Sequence, residues 1–145
     1  MKTLVVCGAT ASGKTGFAVK MAEAIGGEVV SADCMLVYKG LNIGTAKPMK
    51  EEMCGVRHHM IDVAEPSQSY SVADYEAGAE SVLARLAECG KPAVICGGTG
   101  FYIQSLLFAR GLGGAPADEN IRREYEEIAE RDGKEALHDL LKMVD

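Results

Sequence analysis

The sequence has no Cys-x-x-Cys pair, no apolar run long enough to cross a bilayer, no basic leader followed by an apolar stretch, and no excess of positive charge. Each absence removes a class. Cysteines stand at 7, 34, 54, 89 and 96, an odd number at wide spacing. That pattern predicts reduced thiols, mostly in the core, of a cytoplasmic protein rather than a disulfide framework or a zinc ribbon. Without a leader or a long apolar segment, neither export nor membrane insertion is expected. The formal charge is -6, so bulk attraction does not announce a nucleic acid partner. The charge is uneven: residues 1–110 carry 10 Lys+Arg and 11 Asp+Glu, residues 111–145 carry 5 and 10. Any polyanion must therefore be held by localised sites. What remains, 145 residues with 48% hydrophobic and 25% charged, suffices for one domain with a real core.

The apolar pattern divides this chain into short elements. Thr3 to Cys7 reads as a buried parallel strand ending at Gly8. A glycine-rich turn leads into a helix whose apolar face is Phe17, Ala18, Met21, Ala22 and Ile25, closed by Gly26-Gly27. Val29 to Ala32 is a second strand, completing a βαβ unit. Residues 34 to 68 lack a long period and are punctuated by Gly and Pro, which predicts short elements and functional loops. Ser71-x-x-Asp74 is a capping-box pattern. Behind it Val72, Tyr75, Ala79, Val82, Leu83 and Leu86 form one helical face that stops at Gly90. Pro92 to Cys96 reads as a buried strand, and Gly97-Gly98-Thr99-Gly100 turns into a helix over about 101–108. Gly111, Gly113, Gly114 and Pro116 mark a junction. Two amphipathic helices follow, one with Ile121, Tyr125 and Ile128, the other with Leu137, Leu140, Leu141 and Val144, and Gly133 between them. Their apolar faces need cover. The predicted organisation is a core over 1–110 and the start of a helical insertion over 111–145.

Gly8-Ala9-Thr10-Ala11-Ser12-Gly13-Lys14-Thr15 fits the phosphate-loop pattern Gly-x-x-x-x-Gly-Lys-Thr, and it lies between a strand and a helix as that motif requires. Backbone N–H groups at the helix start surround a phosphate, Lys14 adds a point charge, and the Thr15 hydroxyl is placed for Mg²⁺. The alternative is a solvated glycine-rich surface turn. The motif specifies binding of a di- or triphosphate and leaves its fate open between hydrolysis, phosphoryl transfer and other transfers. Asp33 follows the second strand at the sheet edge where ligands bind in open α/β folds. It is a candidate metal ligand or general base, with capping of the next turn as the alternative.

Further motifs follow in order: Ser31-Ala32-Asp33-Cys34-Met35-Leu36-Val37-Tyr38, Asn42-Ile43-Gly44-Thr45-Ala46-Lys47-Pro48, His58-His59-Met60-Ile61-Asp62, Ser69-Tyr70-Ser71, and Gly97-Gly98-Thr99-Gly100-Phe101-Tyr102. With the phosphate turn, this set resembles the tRNA dimethylallyltransferases (tRNA isopentenyltransferases). The resemblance implies a P-loop NTPase-like three-layer α/β fold with a parallel sheet, its core here incomplete, and Mg²⁺-dependent transfer of a dimethylallyl group. The donor is dimethylallyl diphosphate and the acceptor is N6 of adenosine 37 in the tRNA anticodon stem-loop. It implies Asp33 as general base and Thr99 near the reacting adenine, with residues 8–15 on the diphosphate and Thr15 and Asp33 toward the metal. It also implies Asp33, Cys34, Met35, Leu36, Tyr38 and Lys47 on the tRNA side, and a monomer at full length. Two positions depart from the family pattern. Leu36 stands where members usually have Gln, at the cost of a polar contact toward tRNA, and Arg57 stands where they have Pro. The alternatives are a P-loop small-molecule or nucleotide kinase, a transferase acting on free adenylate, and a non-catalytic truncated P-loop fold.

Other residues attract attention for chemistry. His58-His59 with Asp62 has no third ligand at a metal spacing, and adjacent residues of a strand face opposite sides. A structural or tRNA-proximal pair with one buried, hydrogen-bonded ring is expected. Cys34 has no base to activate it and reads as a small residue in place of serine. Tyr70 and Tyr75 read as packing residues, and Tyr102 as packing or base stacking.

Overall fold

In a computed structural model, which describes residues 2–108 and 118–144, the chain forms two compact units, one on each side of residues 109–117. In the first unit, Thr3–Cys7 (β1) leads through the glycine-rich turn to Lys14–Ile25 (α1) and then Glu28–Ser31 (β2). A long irregular stretch contains only the two-residue strand His58–His59 (β3) and an isolated bridge between Tyr38 and Ala64. Val72–Glu88 (α2), Ala93–Gly97 (β4) and Gly100–Phe108 (α3) complete this unit. All strand pairs are parallel, in the order β1-β4-β2-β3. The last strand in sequence thus lies at the centre, with Val5 and Val30 flanking Ile95.

Two apolar clusters lie on opposite faces of the sheet. Ala18 and Ala22 of α1 pack with Val29, Val94 and Cys96. Val30, Ile95, Tyr75, Ala79, Leu86, Tyr102 and Ile103 join α2 and α3 to the other face. Helix, sheet and helix make the three layers of a P-loop NTPase-like fold. Small side chains on α1 let it lie close to the sheet, whereas Phe17 and Ile25, expected on its core face, are exposed. The capping box forms as read: Asp74 N donates to Ser71 Oγ at 3.2 Å and Ser71 N to Asp74 Oδ2 at 2.8 Å.

The expectation of a buried first strand is corrected. β1 forms over the residues read, but Leu4 is 37% and Val5 36% exposed. Among the described residues β1 pairs on one side only, with β4. The cysteines also differ from expectation: only Cys96 is buried, while Cys7, Cys34, Cys54 and Cys89 are exposed. Small size lets a thiol sit in turns and at helix ends as readily as in a core.

The second unit pairs Glu119–Asp132 (α4) with Lys134–Leu141 (α5). Asp118 caps α4, accepting from Asn120 N and Ile121 N. α5 stops before Val144, and neither helix holds a buried residue. The apolar face shared by Tyr125, Leu137, Leu140 and Leu141 remains open. The glycine- and proline-rich junction lies outside the described residues. No helix among the described residues is long and apolar enough to cross a membrane.

Candidate functional site

The carboxyl ends of β1, β2 and β4 bring three separated motifs to one sheet edge. β1 runs into the turn at residues 8–15. Within it Ala11 (φ 62°) and Gly13 (φ 80°) adopt left-handed backbone, the alternation that turns successive N–H groups into one concavity. Ser12 Oγ donates to the Ala9 carbonyl at 2.8 Å, and the Lys14 ammonium arches back to the same oxygen. Gly13 caps α1 without a side-chain acceptor, and the first turn holds no acidic residue. Helix-start donors and the positive end of the helix dipole therefore face an exposed turn, the arrangement that attracts an anion.

At the centre, β4 ends in Gly97, Gly98 and Thr99. A Cβ on Gly97 would stand 2.0 Å from the Ala32 carbonyl oxygen, so only glycine permits β2 and β4 to approach this closely. Thr99 N donates to Ala32 O at 3.1 Å, and Cys34 N donates to Thr99 Oγ1 at 2.9 Å. The β4 turn thereby grips both sides of Asp33. Asp33 is half-buried, and its Oδ1 accepts from Met35 N at 2.9 Å. The capping role weighed for this aspartate is thus filled by one oxygen. The other carries no hydrogen bond among the described residues. Burial pushes the Cys96 thiol up, with Lys14 lowering it and Asp33 raising it. The ammonium and the carboxylate therefore both act on one atom at the end of β4.

The residues expected on the tRNA side divide. Cys34 and Met35 are exposed, whereas Leu36, Tyr38 and the Lys47 side chain turn inward. Lys47 Nζ donates to Tyr38 O at 2.7 Å and pairs with Asp62, its side chain only 6% exposed. That ammonium ties the irregular stretch together where Ala46, Met60 and Asp62 all take positive φ, a local strain that such a tie can hold in place.

His58 and His59 face opposite sides, and one of the rings is buried and bonded as expected. His59 Nε2 lies 2.6 Å from Glu28 Oε2, and Lys91 holds the other oxygen of Glu28 at 2.6 Å. Arg85 of α2 reaches His59 Nδ1 at 3.3 Å. Sequence reasoning missed this network. Its one signal is a glutamate directly before the apolar pair Val29-Val30. His58 Nδ1 donates to Val56 O at 2.9 Å, and burial pushes its pKa below the ordinary histidine value. Among the described residues no group of three or more His, Cys, Asp or Glu side chains converges on a metal position. Tyr75 and Tyr102 stack with centroids 3.9 Å apart. Both are buried, so Tyr102 is a packing residue; burial pushes its hydroxyl up to about 12.

Residues 36–145 match the family model described as IPP transferase. The chain is 46% identical over 145 residues to a tRNA dimethylallyltransferase of Geobacter sulfurreducens, and 41% identical over 144 residues to that of Geobacillus thermodenitrificans. Each match covers 99% of this chain and 46% of the relative. Among solved structures, the full-length tRNA isopentenylpyrophosphate transferase of Bacillus halodurans superposes with a TM-score of 0.76 at 43% identity, over 99% of this chain and 48% of that one. A eukaryotic dimethylallyltransferase acting on tRNA gives 0.74 at 25% identity, over 91% and 36%. The chain spans about half the length of the curated relatives it matches. On the family match and these relatives together, the chain belongs to the IPP transferase family.

Proposed function

We propose that the chain contributes the donor site and general base of a tRNA dimethylallyltransferase, moving a dimethylallyl group from its diphosphate to N6 of adenosine 37 in the anticodon stem-loop. One observation carries the reading: Thr99 and Ala32 clamp Asp33 at the same sheet edge as the Gly8–Thr15 turn. Names of the relatives favour prenyl transfer over the kinase alternative, for which the same parts would serve.

The chemistry follows from the placement. The allylic C–O bond breaks and its electron pair leaves with the diphosphate, whose growing charge meets the N–H groups of residues 8–15 and the Lys14 ammonium. The adenine N6 lone pair forms the new C–N bond, and the Asp33 carboxylate takes the proton that N6 releases. Such proton transfer contributes on the order of 10²- to 10⁴-fold. The Thr15 hydroxyl and Asp33 carboxylate are hard oxygen donors, few in number, which suits Mg²⁺ shared with substrate phosphates. Bound there, Mg²⁺ would supply Lewis-acid neutralisation of the leaving group. The adenine must leave its stack to reach Asp33, which costs less in a loop than in a duplex. We also read the full-length protein as a monomer.

Incubating the chain with labelled dimethylallyl diphosphate and an unmodified anticodon stem-loop tests the proposal. Donor binding and label transfer, the latter lost in Asp33→Asn, are expected. Donor binding without transfer would restrict the chain to the donor site. Phosphorylation of a metabolite from ATP, with no prenyl transfer, would replace this reading with a kinase.

A further inference from the structure

On the α1 face of the sheet, behind the phosphate turn, lies a cavity of about 20 Å³, the size that one water fills. Its polar lining comes from Thr15, Ser31 and His58, with the Cys96 thiol beside them and apolar walls that include Ala18 and Pro48. Two of these residues carry buried side-chain atoms without a hydrogen-bond partner among the described residues: Ser31 Oγ and His58 Nε2. Ser31 is 3% exposed. A buried polar atom left unpaired is unfavourable, and here the two residues that carry such atoms both line one small cavity, with Thr15 of the phosphate turn beside them.

The hydrogen-bond pattern fixes what His58 offers. Its Nδ1 lies 2.9 Å from the Val56 carbonyl oxygen, and a carbonyl oxygen only accepts, so Nδ1 carries the proton. Nε2 is left with its lone pair. The cavity therefore contains one good acceptor, His58 Nε2, and two hydroxyls, Ser31 and Thr15. Burial holds the Cys96 thiol protonated, so no negative charge invites a cation, and water is the occupant that matches both volume and chemistry. For Thr15 the orientation matters. A threonine oxygen that turns its lone pair outward to a cation must point its O–H inward, and that proton needs an acceptor.

We infer that His58 is a positioning residue for the phosphate-binding turn, orienting the Thr15 hydroxyl through one buried water that it shares with Ser31. The inference rests on the reading of residues 8–15 as a diphosphate site. His58 touches neither donor nor acceptor. It acts from the opposite strand edge through Thr15, and explains why an uncharged ring occupies the strand position facing α1.

Titration of inorganic diphosphate into the chain, with and without Mg²⁺, tests it in His58→Leu and His58→Gln. Leucine removes the acceptor, and glutamine restores one through its amide oxygen. The Mg²⁺-dependent gain in affinity is expected to fall about tenfold in His58→Leu and to stay within about threefold of wild type in His58→Gln, the scale typical of groups that orient a ligand. Affinity without Mg²⁺ is expected to be equal in all three. A merely structural role would weaken both conditions and treat Gln no better than Leu; either result overturns the inference. Ring ¹⁵N spectra give an independent reading, with Nδ1 protonated, Nε2 bare, and the Nε2 resonance shifted in Thr15→Val. The opposite tautomer, or an unmoved resonance, overturns the inference even if wild type fails to bind diphosphate, a result that would separately remove the diphosphate reading.

Discussion

Thr99 Oγ1 accepts the backbone N–H of Cys34 at 2.9 Å, joining residues 65 apart in sequence. The threonine hydroxyl thus holds the residue after Asp33 in place and keeps its own proton for another acceptor. Thr99→Val removes the acceptor while preserving shape, and Thr99→Ser retains it. On the proposed function, prenyl transfer is expected to drop about 10- to 100-fold in the valine variant, the range for loss of an orienting hydrogen bond, and only slightly in the serine variant. Initial rates with a saturating anticodon stem-loop measure the difference. Equal losses in the two would separate catalysis from this hydrogen bond.

Lys14 has no ion-pair partner among the described residues, and its ammonium rests on a neutral carbonyl. Lys14→Met is therefore expected to weaken diphosphate binding by tenfold or more, since charge-assisted contacts exceed about 1.5 kcal/mol each, with little change in the melting temperature. Calorimetric titration beside a thermal melt checks both halves. A large fall in melting temperature would mean that the lysine serves the fold.

Gly97→Ala is expected to destabilise the protein by about 3 kcal/mol, the upper part of the range for overpacking. The added carbon would meet the Ala32 carbonyl at 2.0 Å, a backbone atom that cannot rotate away. Urea unfolding measures the loss. A fully stable alanine variant would show that β2 and β4 can separate without cost.

Tyr75 is completely buried, and its hydroxyl has no hydrogen-bond partner among the described residues. Tyr75→Phe keeps the stack on Tyr102 and removes the stranded oxygen. A gain of about 1 kcal/mol is expected, at the low end of the penalty for an unpaired polar group. Loss of stability in Tyr75→Phe would reveal a partner for that oxygen in solution.

Acid sensitivity is expected from Glu28. The Lys91 ammonium, with a smaller opposing effect of burial and help from His59, holds this carboxyl below the usual glutamate range. A group depressed in the folded state stabilises fully above its unfolded value near 4.5. That stability disappears as pH falls through the lower folded value. Unfolding free energy between pH 6 and roughly pH 3 should therefore decline less steeply in Glu28→Gln than in wild type. Parallel profiles would remove Glu28 as a source of acid sensitivity.

The elements and the phosphate turn were legible because they depend on local pattern. The 71–74 capping box, the glycine stops at 26 and 90, and the Gly8–Thr15 motif each state their geometry within a few residues. Exposure was less legible, since it depends on what lies across the sheet. Thr3–Cys7 has the composition of a buried strand, yet Leu4 and Val5 are exposed and it pairs on one side only among the described residues, and Phe17 carries the right helical spacing yet points outward. The Glu28–His59–Lys91–Arg85 network and the Ser31–His58 cavity were out of reach for the same reason. Their members come from three or four segments, and no spacing rule links them. The resemblance places Lys47 on the tRNA side, and only the fold shows its ammonium paired with Asp62.

The strand order also has a consequence for how the chain comes into being. Among the described residues β1 pairs with β4, Thr3 opposite Ala93, so on a ribosome this strand waits about 90 residues for that neighbour. At cellular elongation rates that delay is roughly 5 to 20 s. The turn at residues 8–15 therefore gains its support from β4 only after α2 has been synthesised, and until then the strand that leads into it lacks that partner.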